Sequence, residues 1–265
     1  MEDTLTLLPW NIMGIALFIG VYFLFRNKSM RAKMIFLYTG CGVSLALFVC
    51  HQICHNVFNG EHWLSLLPLH LCYVSLMFTP VALRFKVKVF YDFIFYVSAL
   101  GAFMALVFPA ATYLRGTWSF MSFTFFAFHF MITAVPLWLF LWKIYSPRIT
   151  LKQSLYLFSV LLVLAGLMHG LNVLLVKVAD IPYANYFWTM VEGGSAENFL
   201  LGIFASIWRI DFFYLLFAVP ILYAYIGIWN LALHFVQKKK GGGEEEQETV
   251  NSQSGFRREE RKTAD

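Results

Sequence analysis

Seven apolar runs of about twenty residues, each closed off by charged or polar loops, constrain this chain more than any other feature. An α-helix rises 1.5 Å per residue, so about twenty residues cross the roughly 30 Å hydrocarbon core of a bilayer. The runs are Leu8–Phe25, Met34–Phe58, Trp63–Leu83, Val89–Phe108, Ser119–Trp142, Gln153–Val176 and Ile210–Phe235. In lipid every backbone N–H and C=O must be satisfied within the protein, which leaves helices and closed barrels as spanning structures. Barrel strands are short segments of alternating polarity, and this sequence has none. The expected fold class is therefore all-α: a polytopic membrane protein built as a bundle of seven transmembrane helices. A water-soluble chain with 60% hydrophobic residues would expose too much apolar surface to stay dispersed.

Charge gives the bundle a direction. Arg26, Lys28, Arg31 and Lys33 follow run one; Arg84, Lys86 and Lys88 follow run three; Lys143, Arg148 and Lys152 follow run five; Lys238, Lys239 and Lys240 follow run seven. The other ends carry only Arg115, Lys177 and Arg209 near the membrane. The positive-inside rule then predicts an N-terminus outside and a cytoplasmic C-terminus. The net charge of +5 belongs to these loops, so it argues for orientation and against nucleic-acid binding. "MEDTLTLLPW" has no basic n-region, so the first run reads as a retained span. Two regions are expected: a seven-span transmembrane domain, residues 1–237, and a charged tail, 238–265, too poor in apolar residues to fold. Between Lys177 and Arg209 lies the longest loop. Its aromatic content predicts an interfacial or re-entrant helix near Asn198–Trp208, with a turn at Gly193–Gly194–Ser195.

Chemistry is expected where polar side chains interrupt the apolar runs, because such groups are costly in lipid and face cavities or one another. His51 and His55 are four apart on one face of run two; His70 and Cys72 lie in run three and His129 in run five. His169 and Asn172 share a face of run six, and Asp211 opens run seven. At 1.5 Å per residue, Cys72 and His129 sit about 13 and 15 Å below the same surface, a matched depth. In a regular helix His70 and Cys72 are about 200° apart, so a nucleophilic Cys72 would take its base from another span. The plain alternatives are a packing cysteine and hydrogen-bonded interhelical histidines. All four cysteines lie inside apolar runs, so no disulfide framework is expected. No H-E-x-x-H or paired-ligand pattern completes a zinc site around His51 and His55, and no metal or cofactor is expected.

"LPLHLC" in run three, "HFMITAVPLWLFLW" in run five and "ANYF" after run six resemble the YwaF family of bacterial integral membrane proteins. That resemblance implies a multi-pass protein of a bacterial plasma membrane and brings no activity with it. A more distant similarity is to a eukaryotic multispan acyltransferase family that acts in making ether phosphatidylethanolamine through a Pro-Cys-His motif and a later histidine. It implies that Pro68, His70 and His129 match, whereas the motif cysteine falls on Leu69, which has no nucleophile. Cys72, three residues on, is the substitute the sequence offers. Two functions follow as expectations. One is a lipid-acting enzyme with catalytic His129, Cys72 and His70, and with His51, His55, His169, Asn172, Asn185 and Asp211 lining the substrate site. The other is a small-solute transporter or sensor using the histidines as ligands or relays. Membrane lipids are the expected partners in the first.

Overall fold

The computed structural model describes residues 2–59, 64, 67–109, 114, 116–181, 184–191 and 199–235. Among these there are helices and no strands. We number them α1 (Glu2–Phe25), α2 (Met30–Asn59), α3 (Leu71–Phe85), α4 (Lys88–Val107), α5 (Phe120–Leu141), α6 (Leu151–Lys177), α7 (Phe199–Ile207) and α8 (Phe213–Phe235). Six of them, all but α3 and α7, are long and apolar enough to cross a membrane. The tail and the Gly193–Gly194–Ser195 turn lie outside the described residues.

The expectation of a full third span is corrected at its start. Helix α3 begins only at Leu71, eight residues after the expected Trp63, and its 15 residues rise about 22 Å, short of the bilayer core. The physical reason is Pro68, which lacks a backbone N–H and biases Leu67 away from helical backbone angles. Leu67–His70 is therefore non-helical, and His70 caps α3 with an extended φ of −65° and ψ of 150°. A helix, α7 at Phe199–Ile207, forms within the stretch where an interfacial or re-entrant helix was expected. Local chemistry sets other boundaries: Ser119 caps α5 by accepting from Ser122 N, and Thr150 with Gln153 forms a capping box on α6.

Helix α5 is the axis. Its apolar window is 67% buried within the chain, against 11% for α6 and α8. Helices α1, α2 and α4 pack around it. Glycine permits the closest approach: a Cβ on Gly14 of α1 would lie 2.9 Å from Phe126 Cζ on α5. Trp138 stacks on Phe18 at 5.5 Å and on Trp142 at 5.9 Å, and its indole donates to Phe18 O at 3.2 Å. Helix α4 carries one π turn, Ile94–Ser98, whose five side chains are all buried. Such a turn widens the helix by one residue, so consecutive side chains face inward.

Lys33 Nζ lies over the Trp142 ring at 5.7 Å and Lys88 Nζ over the Tyr145 ring at 5.9 Å, so the three described basic loops meet at one end of the bundle. The acid at that end is Asp92, buried on α4. Lys88 Nζ donates to both its oxygens, at 2.7 and 2.8 Å, and the Tyr145 hydroxyl donates at 2.5 Å. Burial and the neighbouring Asp92 carboxylate push the Tyr145 phenol pKa up, which keeps it a donor.

Candidate functional site

The broken start of α3 leaves backbone groups that a continuous helix would satisfy internally. Tyr186, from the segment after α6, supplies them. Its hydroxyl accepts from Leu67 N at 3.1 Å and donates to Leu64 O. Burial pushes this phenol up to about 12, against the opposing pull of the Leu67 N–H, so it stays protonated and able to donate at neutral pH. The His70 ring then sits 5.4 Å from the rings of both Tyr186 and Trp188 and 5.6 Å from Tyr73.

The segment carrying Tyr186 is held almost entirely by side-chain hydrogen bonds. Asn172 of α6 donates to Tyr186 O and Thr189 Oγ1 and accepts from Tyr186 N, all at 2.8 Å. His169 Nδ1 lies 3.2 Å from the same Thr189 hydroxyl. Asn185 closes its own loop, donating to Met190 O at 2.8 Å and accepting from Met190 N at 2.9 Å. From the start of the last span, Asp211 accepts from Val191 N at 2.6 Å, and the Tyr214 hydroxyl donates to Trp188 O. The resulting hub ties together α6, α8 and the approach to α3. Within it Phe187, Trp188 and Phe212 have φ of 57°, 55° and 66°. Bulky residues rarely adopt left-handed backbone, and such strain clusters at functional sites.

All three of those aromatic residues line one cavity. It measures about 320 Å³, at the lower end of the 300–1,000 Å³ typical of ligand pockets. Its walls come from α4, α6, α7, α8 and the first residues of α3, and they are overwhelmingly apolar: Leu100, Met104, Leu161, Phe204 and Leu222 are representative. Among the described lining residues the titratable side chains are His70, Cys72 and Tyr96. The Tyr96 hydroxyl is committed to Pro147 O, so His70 and Cys72 are the groups left to meet a bound molecule. The 200° separation expected of them does not apply, because His70 lies outside the helix, and both residues line the cavity.

His51, His55 and His129, outside the cavity lining, form a row of their own. His51 and His55 are fully buried with ring centroids 6.2 Å apart. His51 is within electrostatic range of His55 and His129, and His70 is within range of His55. His51 Nδ1 is 2.8 Å from Thr124 Oγ1. His129 does not line the cavity: its Nδ1 bonds Phe125 O at 2.8 Å, and its ring packs 4.2 and 4.3 Å from Phe125 and Phe128. Among the described residues no group of three or more His, Cys, Asp or Glu side chains is arranged to hold a metal ion.

Sequence reasoning thus named the residues of three distinct places. His70 and Cys72 meet the cavity; His51, His55 and His129 form the row; His169, Asn172, Asn185 and Asp211 build the hub. It missed Tyr186, Thr189 and the strained aromatics Phe187, Trp188 and Phe212. The available signal for them was "NYFWT", an aromatic run between polar residues in a loop that water alone would not favour.

Residues 3–230 match the TMEM164 family, a multispan membrane family, and the chain belongs to it. The match carries this name rather than the YwaF name expected from the motifs. Comparison with curated proteins and with solved structures returns no match.

Proposed function

We propose that the protein handles the acyl chain of a membrane lipid in the α4–α6–α7–α8 cavity and moves the acyl group through Cys72. The observation that carries this reading is the make-up of the cavity: a long apolar wall with His70 and Cys72 among its lining residues. In the reaction His70 takes the proton of the Cys72 thiol, and the thiolate attacks the lipid ester carbonyl. The C–O bond breaks, the lysolipid leaves with the proton from His70, and a thioester remains on Cys72. A hydroxyl of a second lipid, or water, then attacks the thioester and gives its proton to His70; the C–S bond breaks, and His70 passes that proton to the departing sulfur to restore the thiol. His55 neighbours His70, and His51 neighbours both His55 and His129. By the positive-inside rule the basic end is cytoplasmic and the hub lies toward the outer leaflet. The YwaF resemblance supports a bacterial plasma membrane as the location.

The test is acyl transfer by the reconstituted protein from labelled phosphatidylcholine to lysophospholipid, compared with Cys72→Ala and His70→Ala. Cys72→Ala is expected to abolish transfer, and His70→Ala to slow it by about 10²–10⁴-fold. Unchanged rates in both variants would overturn the reading.

The row of buried imidazoles favours one competing account, a proton-coupled transporter or sensor. That account predicts pH-driven solute uptake in proteoliposomes that fails on His51→Ala and persists in Cys72→Ala.

A further inference from the structure

We infer that the seam between α6 and α8 is a lateral portal, through which one chain of a lipid in the bilayer reaches the cavity; this rests on the acyl-chain reading above. The cavity is elongated along α4. Its lining runs from Tyr96 to Phe108, about 18 Å at 1.5 Å per residue. Helix α3 meets this wall partway along, since a Cβ on Gly101 would lie 3.4 Å from Leu71 Cδ2. Cys72 therefore has about 8 Å of cavity below it and about 10 Å above it.

Below Tyr96 the π turn places Phe95 against Trp229 at 4.9 Å and Tyr96 against Tyr225 at 6.0 Å, a floor of rings facing the basic end. The hub adds Phe187, Trp188 and Phe212 to the lining. One lipid chain fills about half the bilayer core, about 15 Å. Each limb is shorter than that, so a chain whose ester lies at Cys72 continues beyond the cavity.

One side wall carries exposed residues of the lining. Leu162 on α6 and Leu216 and Ala218 on α8 line the cavity and are themselves exposed, Leu162 by 40% and Leu216 by 38%. The opposite wall, α4, is 61% buried, whereas α6 and α8 are the two long helices least covered by the rest of the chain. The seam is apolar throughout, so a hydrocarbon chain crosses it with no polar group to desolvate.

The experiment uses the full chain in phosphatidylcholine nanodiscs containing a phosphatidylcholine with a diazirine in its acyl chain. After photolysis, peptide mass spectrometry reads adducts at Leu100 and Met104, which line the cavity. The comparison is with Leu162→Trp/Leu216→Trp, which fills the seam. The wild type is expected to label at Leu100 and Met104, and labelling in the seam variant to fall about tenfold or more, as denying even two methylenes their burial implies. Ala218→Trp, a single change at an exposed position, gives the same reading where the double variant fails to fold. Equal labelling in the wild type and a folded seam variant would overturn the portal and leave the cavity reading standing. No labelling of Leu100 or Met104 in the wild type would overturn the cavity reading, and the portal with it.

Discussion

The half of the bundle around α5 and the half around the hub are held by different physics. In the first, rings and glycines fit at van der Waals distance: Trp138 is sandwiched between Phe18 and Trp142, and Gly14 admits Phe126. In the second, the positions are fixed by a few directed bonds, with Asn172, Asn185, Tyr186, Thr189 and Asp211 making nearly all of them. Close packing fills space and leaves none for a ligand. Directed bonds hold backbone in place while leaving a void beside it, which is the condition for a binding cavity in a membrane protein.

That contrast can be broken from either side. Trp138→Ala removes the centre of the packed half and is expected to cost about 3–5 kcal/mol, seen as a large fall in the thermal midpoint in detergent. Asn172→Ala strands Tyr186 N and Tyr186 O and leaves Thr189 Oγ1 with His169. We expect about 2–3 kcal/mol of loss, with hydrogen exchange rising in 184–191 while α1, α2 and α5 stay protected. If exchange rises equally everywhere, the two halves are one cooperative unit and the contrast fails. Tyr186→Phe keeps the ring and deletes both bonds to the approach of α3. It is expected to cost about 1–2 kcal/mol and to lower acyl transfer more than stability, because it loosens His70. Thr150→Ala, at the cap of α6 and far from the hub, should cost about 1 kcal/mol and leave transfer unchanged.

The helical membrane class was legible because lipid imposes a length and a polarity that composition displays directly. The π turn in α4 was not, since "FYDFIFYVSAL" is equally apolar with either periodicity. The short α3 was written in Pro68, but an apolar run reads as continuous unless proline is weighed against the N–H it removes. The candidate site was half legible. Polar residues in apolar runs pointed to His70 and Cys72, yet depth alone paired Cys72 with His129. Depth carries no information about azimuth, and in the folded chain His129 faces Phe125 and Phe128 while Cys72 faces the cavity. Asn172 and Asn185, expected at the substrate site, have their amides bonded within the chain.

The central claim, that Cys72 carries an acyl group in the apolar cavity, is tested most directly by the mass of the Cys72 peptide after incubation with phosphatidylcholine and an acid quench. The account predicts an increment of one acyl chain on Cys72 that neutral hydroxylamine removes. A peptide that stays unmodified while acyl transfer proceeds at full rate would contradict it.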